Sequence, residues 1–162
     1  MRTLERVTQF LNQLLIRVAG CILGMMILLT CANIFLRIVW VPIKGTFELM
    51  GYCGAVIMAF ALGYTQMGRG HIAVDVLVLR FSERARRILT GINAFICTIF
   101  FAIAAWQIAK YATTLWKTGE ITETLRIIYY PFIYGVALGC ATLSLVFLTD
   151  LLKSFLQKED EQ

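Results

Sequence analysis

Four stretches of this chain run for about twenty residues without a charged side chain, and that pattern leaves few folds open. Val18–Leu36 lies between Arg17 and Arg37, Leu49–Met67 between Glu48 and Arg69, Ile88–Ala109 between Arg87 and Lys110, and Ile127–Thr149 between Arg126 and Asp150. A helix needs about 20 apolar residues to cross the roughly 30 Å hydrocarbon core of a bilayer. Inside lipid the backbone polar groups must be satisfied within the segment, so an isolated run of this kind forms a helix. The expectation is an all-α membrane protein with four transmembrane helices, spanning about 18–38, 47–67, 88–110 and 127–150 of a single domain, 1–162. The first run is too long for the apolar region of a signal peptide and no small-x-small cleavage site follows it closely, so it is expected to be retained.

Composition agrees. The chain has 162 residues, of which 59% are hydrophobic and 15% charged, against about 25% charged in a soluble domain. So few charges cannot coat a soluble surface, and lipid must cover much of it. The net charge of +5 does not form a basic face for nucleic acid, because the basic residues sit in short segments between apolar runs. Arg2, Arg6, Arg17, Arg69, Arg80, Arg84, Arg86, Arg87, Lys153 and Lys158 fall on one side of the membrane, and Arg37, Lys44, Lys110, Lys117 and Arg126 on the other. Positively charged loops stay inside, so both termini and the middle connection are expected in the cytoplasm.

Local signals divide the runs. Pro42 and Gly45 end the first helix. Thr46 is the expected N-cap of the second, with Glu48 in its first turn near the positive end of the helix dipole. Between the second and third spans, Val74, Leu77, Val78, Phe81 and Ala85 oppose Arg80, Glu83, Arg84 and Arg87. That pattern suits a short amphipathic helix over 72–81 lying in the interface; alternatively, Ser82-Glu83 opens the third span directly, with Ser82 as its cap. Lys117–Arg126 reads as a polar connection and Lys153–Gln162 as a frayed cytoplasmic tail. Trp106, Tyr111 and Trp116, with Tyr129, Tyr130 and Tyr134, have the character of an aromatic belt.

The chemistry is sparse. Every Asp, Glu, Lys and Arg lies at or beyond a span end, whereas ion-coupled and catalytic membrane proteins carry ionisable groups inside the bilayer. His71 is the single histidine, and Cys21, Cys31, Cys53, Cys97 and Cys140 are scattered in apolar runs without a Cys-x-x-Cys pair. Metal, haem and enzymatic functions are therefore not expected. Arg37 and Glu48 bracket the first connection: they are placed to pair, or Glu48 faces a partner subunit, or both snorkel at the interface. Arg69, His71 and Asp75 cluster at the middle turn, where Asp75 can cap a helix or meet Arg69. Gly20-x-x-x-Gly24 and Gly135-x-x-x-Gly139 are candidate helix-packing sites. An independent channel or small transporter would instead require an oligomer with a pore lined by Asn33, Asn93 and Gln107.

The order of these pieces resembles the DctQ-like small membrane subunit of tripartite ATP-independent periplasmic (TRAP) transporters. Asn33-Ile-Phe-Leu-Arg37 is followed after a short turn by Phe47-Glu48-Leu49 and Tyr52. Gly68-Arg-Gly-His-Ile-Ala-Val-Asp75 comes next, and Gly119-Glu-Ile-Thr-Glu-Thr-Leu-Arg126 precedes Tyr130-Pro131. The resemblance covers essentially the whole chain. It departs at Thr46-Phe47-Glu48, where many members carry paired acidic residues and a tryptophan, and at Ile127-Ile128, where an Ile-Pro is frequent.

The resemblance implies a non-catalytic subunit of the bacterial inner membrane. Its expected partners are a large many-helix permease, a periplasmic solute-binding protein and membrane lipids. The permease would hold the substrate and sodium sites, so no cofactor is expected in this chain, although a bound phospholipid is compatible with it. The cargo would be an organic acid of carboxylate or sulfonate type. The small subunit would enlarge the fixed scaffold of an elevator, with Arg37, Glu48, Tyr52, Arg69, His71 and Asp75 as candidate interface or structural anchors.

Overall fold

The computed structural model describes the backbone of residues 2–68 and 83–156, and side chains over 5–68 and 89–152. The described residues form four helices: α1 (Arg2–Val39), α2 (Thr46–Met67), α3 (Glu83–Thr118) and α4 (Tyr130–Leu156). All four are long and apolar enough to cross a membrane. The expected all-α membrane fold is what the chain adopts. The proposed interfacial helix over 72–81, the Ser82 cap, and the site residues Arg69, His71 and Asp75 lie outside the described residues.

The helices are longer than the uncharged runs. α1 has 38 residues and α3 has 36, about 57 and 54 Å at 1.5 Å per residue, well beyond the hydrocarbon thickness. The amphipathic opening of the chain is thus continuous with the first span, because nothing between Arg2 and Val39 breaks the helix. At the other end of α3, the expected polar connection from Lys117 is shortened: the helix persists to Thr118. Gly119 ends it at φ 67°, donating its N–H to the Leu115 carbonyl at 3.0 Å, a left-handed C-terminal cap. Residues 127–129 precede α4 rather than opening it, because Ile128 pairs with Ile121 in an isolated antiparallel bridge.

The helices pack in the order α1, α2, α4, α3. The α3–α4 contact is the most extensive, followed by α2–α4 and α1–α2, with a smaller contact between α1 and α4. α4 is accordingly the most buried of the four, while α1 and α3 are largely exposed. Ala94, Ala105, Ala112 and Leu115 form the buried stripe of α3, and the three alanines permit a close approach. Phe101 stacks on Phe147 of α4 at 5.9 Å, and Ser144 Oγ donates to the Thr98 carbonyl at 3.0 Å. On the other side Leu15 and Ala19 of α1 pack with Val56 and Phe60 of α2, flanked by Phe132 and Val136 of α4.

The two glycine pairs behave differently. A Cβ at Gly139 would stand 2.6 Å from the backbone of Ala59, and one at Gly135 would stand 3.3 Å from Val56, so this pair does bring α2 and α4 together. Gly20 and Gly24 have nothing within 4 Å of the corresponding position. The expectation that they pack a neighbouring helix is not met within this chain, because α2 and α4 lie against the opposite side of α1, along Leu15 and Ala19.

Candidate functional site

The connections α1–α2 and α3–α4 meet at one end of the bundle, and most of the described polar chemistry gathers there. The first connection is built around three residues. Asn33 Oδ1 accepts the Ile43 N–H at 2.8 Å, supplying a partner for a backbone donor just after Pro42. Gly45 adopts φ 75° and is the N-cap of α2, with no side-chain cap hydrogen bond. Thr46 is therefore the first helical residue and not the cap; its hydroxyl turns back to the Ile43 carbonyl at 2.9 Å. Glycine is required at 45 for two reasons. The backbone is left-handed there, and a Cβ would collide with Leu125.

Glu48 joins the two connections. Its carboxylate accepts the backbone N–H of Thr124 at 2.8 Å and that of Leu125 at 3.2 Å. This corrects the expected ion pair: among the described residues Glu48 is held by two amides of the distant loop, and Arg37 stands exposed in the last turn of α1. Neighbouring amides presented by a turn match the two oxygens of one carboxylate, so the geometry suits a charged acceptor. The loop shapes that turn itself. Thr122 N–H donates to the Ile127 carbonyl at 3.0 Å, Arg126 N–H to the Thr122 carbonyl at 3.1 Å, and Ile127 N–H to Thr122 Oγ1 at 3.2 Å. Arg126 is left-handed at φ 52°.

One turn along α2, Tyr52 stacks on Tyr129 at 5.3 Å and on Phe132 at 5.7 Å. Tyr129 OH donates to Glu120 Oε2 at 2.8 Å. That hydrogen bond does most to push the Tyr129 phenol up to about 12, helped by partial burial and by the charge of Glu120. Together Glu48, Tyr52, Glu120, Ile121, Thr122, Glu123 and Tyr129 line an open cleft of about 400 Å³. The arrangement is a clasp. It fixes the first turn of α2 to the loop before α4, and it presents carboxylates, phenols and exposed Ile121 and Ile128 at one end of the molecule.

Other candidate residues stand apart from it. Asn93 and Gln107 are exposed on α3, where Asn93 Oδ1 accepts from Cys97 Sγ at 3.8 Å, and Asn33 is occupied by Ile43. The three amides do not converge within one chain. No group of three metal-ligating side chains occurs among the described residues. Sequence reasoning singled out Glu48 and Tyr52 but missed Thr122 and the pairing of Glu120 with Tyr129. No local pattern marks a carboxylate whose partners are backbone amides 76 residues away.

A family model describing the DctQ component of tripartite ATP-independent periplasmic transporters matches residues 26–157. The chain belongs to the DctQ family. The match runs from the middle of α1 to the end of α4 and takes in the whole clasp. It makes this DctQ component the small membrane subunit of a TRAP transporter, a transporter part and not a member of an enzyme family. No significant match was found among curated proteins or among solved structures.

Proposed function

We propose that this DctQ component is a stationary scaffold on which a large permease subunit performs sodium-coupled, elevator-type import of an organic acid delivered by a periplasmic solute-binding protein. The observation that carries the reading is the distribution of polar groups. In the described helices the charged side chains flank uncharged runs of membrane-spanning length, while the mid-membrane surfaces of α1 and α3 carry large exposed apolar residues such as Met25, Leu28, Ile96, Phe100 and Ile103. Such surfaces suit helix–helix and helix–lipid contact and offer no ligands for an ion or an acid. The clasp supports the same role, because it makes α2, α4 and their connections a rigid unit.

The chain sits in the bacterial inner membrane with both termini in the cytoplasm, following the excess of Arg and Lys at that end. The clasp then faces the periplasm. Contacts with the permease and with the binding protein divide between the apolar helix faces and this exposed end.

Reconstitution tests the proposal. Vesicles containing the chain alone take up no organic acid in a sodium gradient, whereas the full three-component system does. Uptake by the lone chain at a comparable rate would sink the scaffold reading and favour an oligomeric pore.

A further inference from the structure

At the end of the bundle away from the clasp, α1 and α2 meet through a polar contact that the scaffold reading does not use. Asn12 on α1 is completely buried. Its Nδ2 donates to the Thr8 carbonyl one turn earlier at 2.9 Å, which ties the amide in one orientation. Among the described residues Asn12 Oδ1 has no N–H or O–H partner, and neither has the buried Thr8 Oγ1. Asn12 Oδ1 lies directly against Gly63 of α2, where a Cβ would collide with it; Oδ1 is the nearest atom, ahead of Cγ at 3.2 Å and Nδ2 at 3.7 Å. Facing this oxygen is the bare Cα of a glycine, whose C–H groups are weak donors of the kind found where helices approach closely.

We propose that Asn12 and Gly63 form a key and notch that sets the register of α1 against α2. Apolar side chains slide past one another at little cost. A buried amide oxygen does not, because it must find a compatible partner or bear the full penalty of desolvation. Gly63 provides the bare backbone that accepts it. One turn away in either direction, the oxygen would meet the side chains of Ala59 or Met67. Two donor side chains on that stretch are already engaged: Thr65 with the Ala61 carbonyl at 2.9 Å, and Gln66 with Asp150 of α4 at 3.3 Å. Burying Asn12 costs stability, and a defined register is the return most often found for such a residue. The role extends the scaffold reading, since a stationary subunit needs one fixed packing of its helices, but the register can be measured without any transport.

The test uses the full chain in membranes, with its five native cysteines replaced and a reporter pair, Thr30→Cys with Met50→Cys. These positions face each other across α1 and α2, with Thr30 Oγ1 3.8 Å from Met50 Sδ. Gly63→Ala is expected to lower the yield of the 30–50 cross-link by about tenfold, the change expected from ordinary overpacking. Adding Asn12→Ala to Gly63→Ala removes the colliding oxygen and restores the yield. An undiminished yield in Gly63→Ala, or a loss that Asn12→Ala fails to recover, would overturn the proposal. Uptake by the assembled transporter is read on the same variants. Lost register with full uptake would count against the scaffold reading and leave the key and notch standing, so the two failures are separable.

Discussion

Glu48, in the first turn of α2, accepts the backbone N–H of Thr124 at 2.8 Å, closing a loop of 76 residues with a single carboxylate. That one contact joins the start of the second helix to the approach to the fourth. The most local consequences of the structure can be tested from it outward.

Replacing Glu48 with Ala leaves two loop amides without their acceptor, while Gln retains one carbonyl oxygen for one of them. Hydrogen exchange at Thr124 and Leu125 is expected to accelerate in the order wild type, Glu48→Gln, Glu48→Ala. Membrane insertion should be unchanged. Arg37→Ala, which removes no partner of Glu48, should leave the exchange of these amides as it is in the wild type. Equal acceleration by Arg37→Ala would revive the ion pair.

Gly45 and Arg126 both have positive φ, yet they should respond oppositely to substitution. Gly45→Ala forces a Cβ into Leu125 and a side chain into the left-handed region, which alone costs about 1–2 kcal/mol. Arg126→Gly relieves a left-handed non-glycine residue while adding freedom to the unfolded chain, terms of similar size and opposite sign. Thermal unfolding in detergent should show a clear loss for the first and little change for the second.

Gly139→Ala places a methyl group against the Ala59 backbone, which has no rotamer to yield. A destabilisation of about 1–3 kcal/mol is expected, with α2 and α4 pushed apart. Gly20→Ala and Gly24→Ala meet open space and should be neutral or stabilise the isolated chain by up to about 1 kcal/mol. Pull-down with the large subunit then adds information of its own. Loss of binding in a normally folded Gly20→Ala or Gly24→Ala chain would place that face of α1 in the subunit contact.

Tyr129 offers a titration. Its phenol is raised from 10.0 to about 12 in the folded chain, so the hydrogen bond to Glu120 contributes stability that is complete below pH 10. The contribution is lost as pH rises through about 12. Tyrosinate absorbance should therefore show a late component that disappears in Tyr129→Phe. If Tyr129→Phe instead removes an ordinary component near pH 10, the contact with Glu120 is not maintained in solution.

Much of this protein was legible in one dimension. Uncharged runs of helix-spanning length dictate four membrane helices, because the bilayer forbids any other way of satisfying their backbones. Pro42 and Gly45 mark the end of the first helix through rules that act over a few residues. Glu48 and Tyr52 were legible as candidates, yet their partners were not. A carboxylate near a guanidinium in sequence looks like an ion pair, while the winning acceptors and donors came from a loop brought alongside by the α3–α4 contact. The helix overruns at Arg2 and Thr118 were also hidden, since charge ends a hydrophobic run without ending a helix.

The amino-acid order by itself therefore determined what depends on solvent: which segments enter lipid, which residues remain at the edges, and that the interior has no charge. Only the tertiary structure decided what depends on pairing. It used Gly135 and Gly139 to seat α4 on α2, left Gly20 and Gly24 open, and set Asn12 against Gly63. The physical reason is range. Burial in a bilayer acts on each segment alone and can be read from its composition, whereas a glycine notch or a carboxylate clasp exists only once two remote backbones lie within a few ångströms.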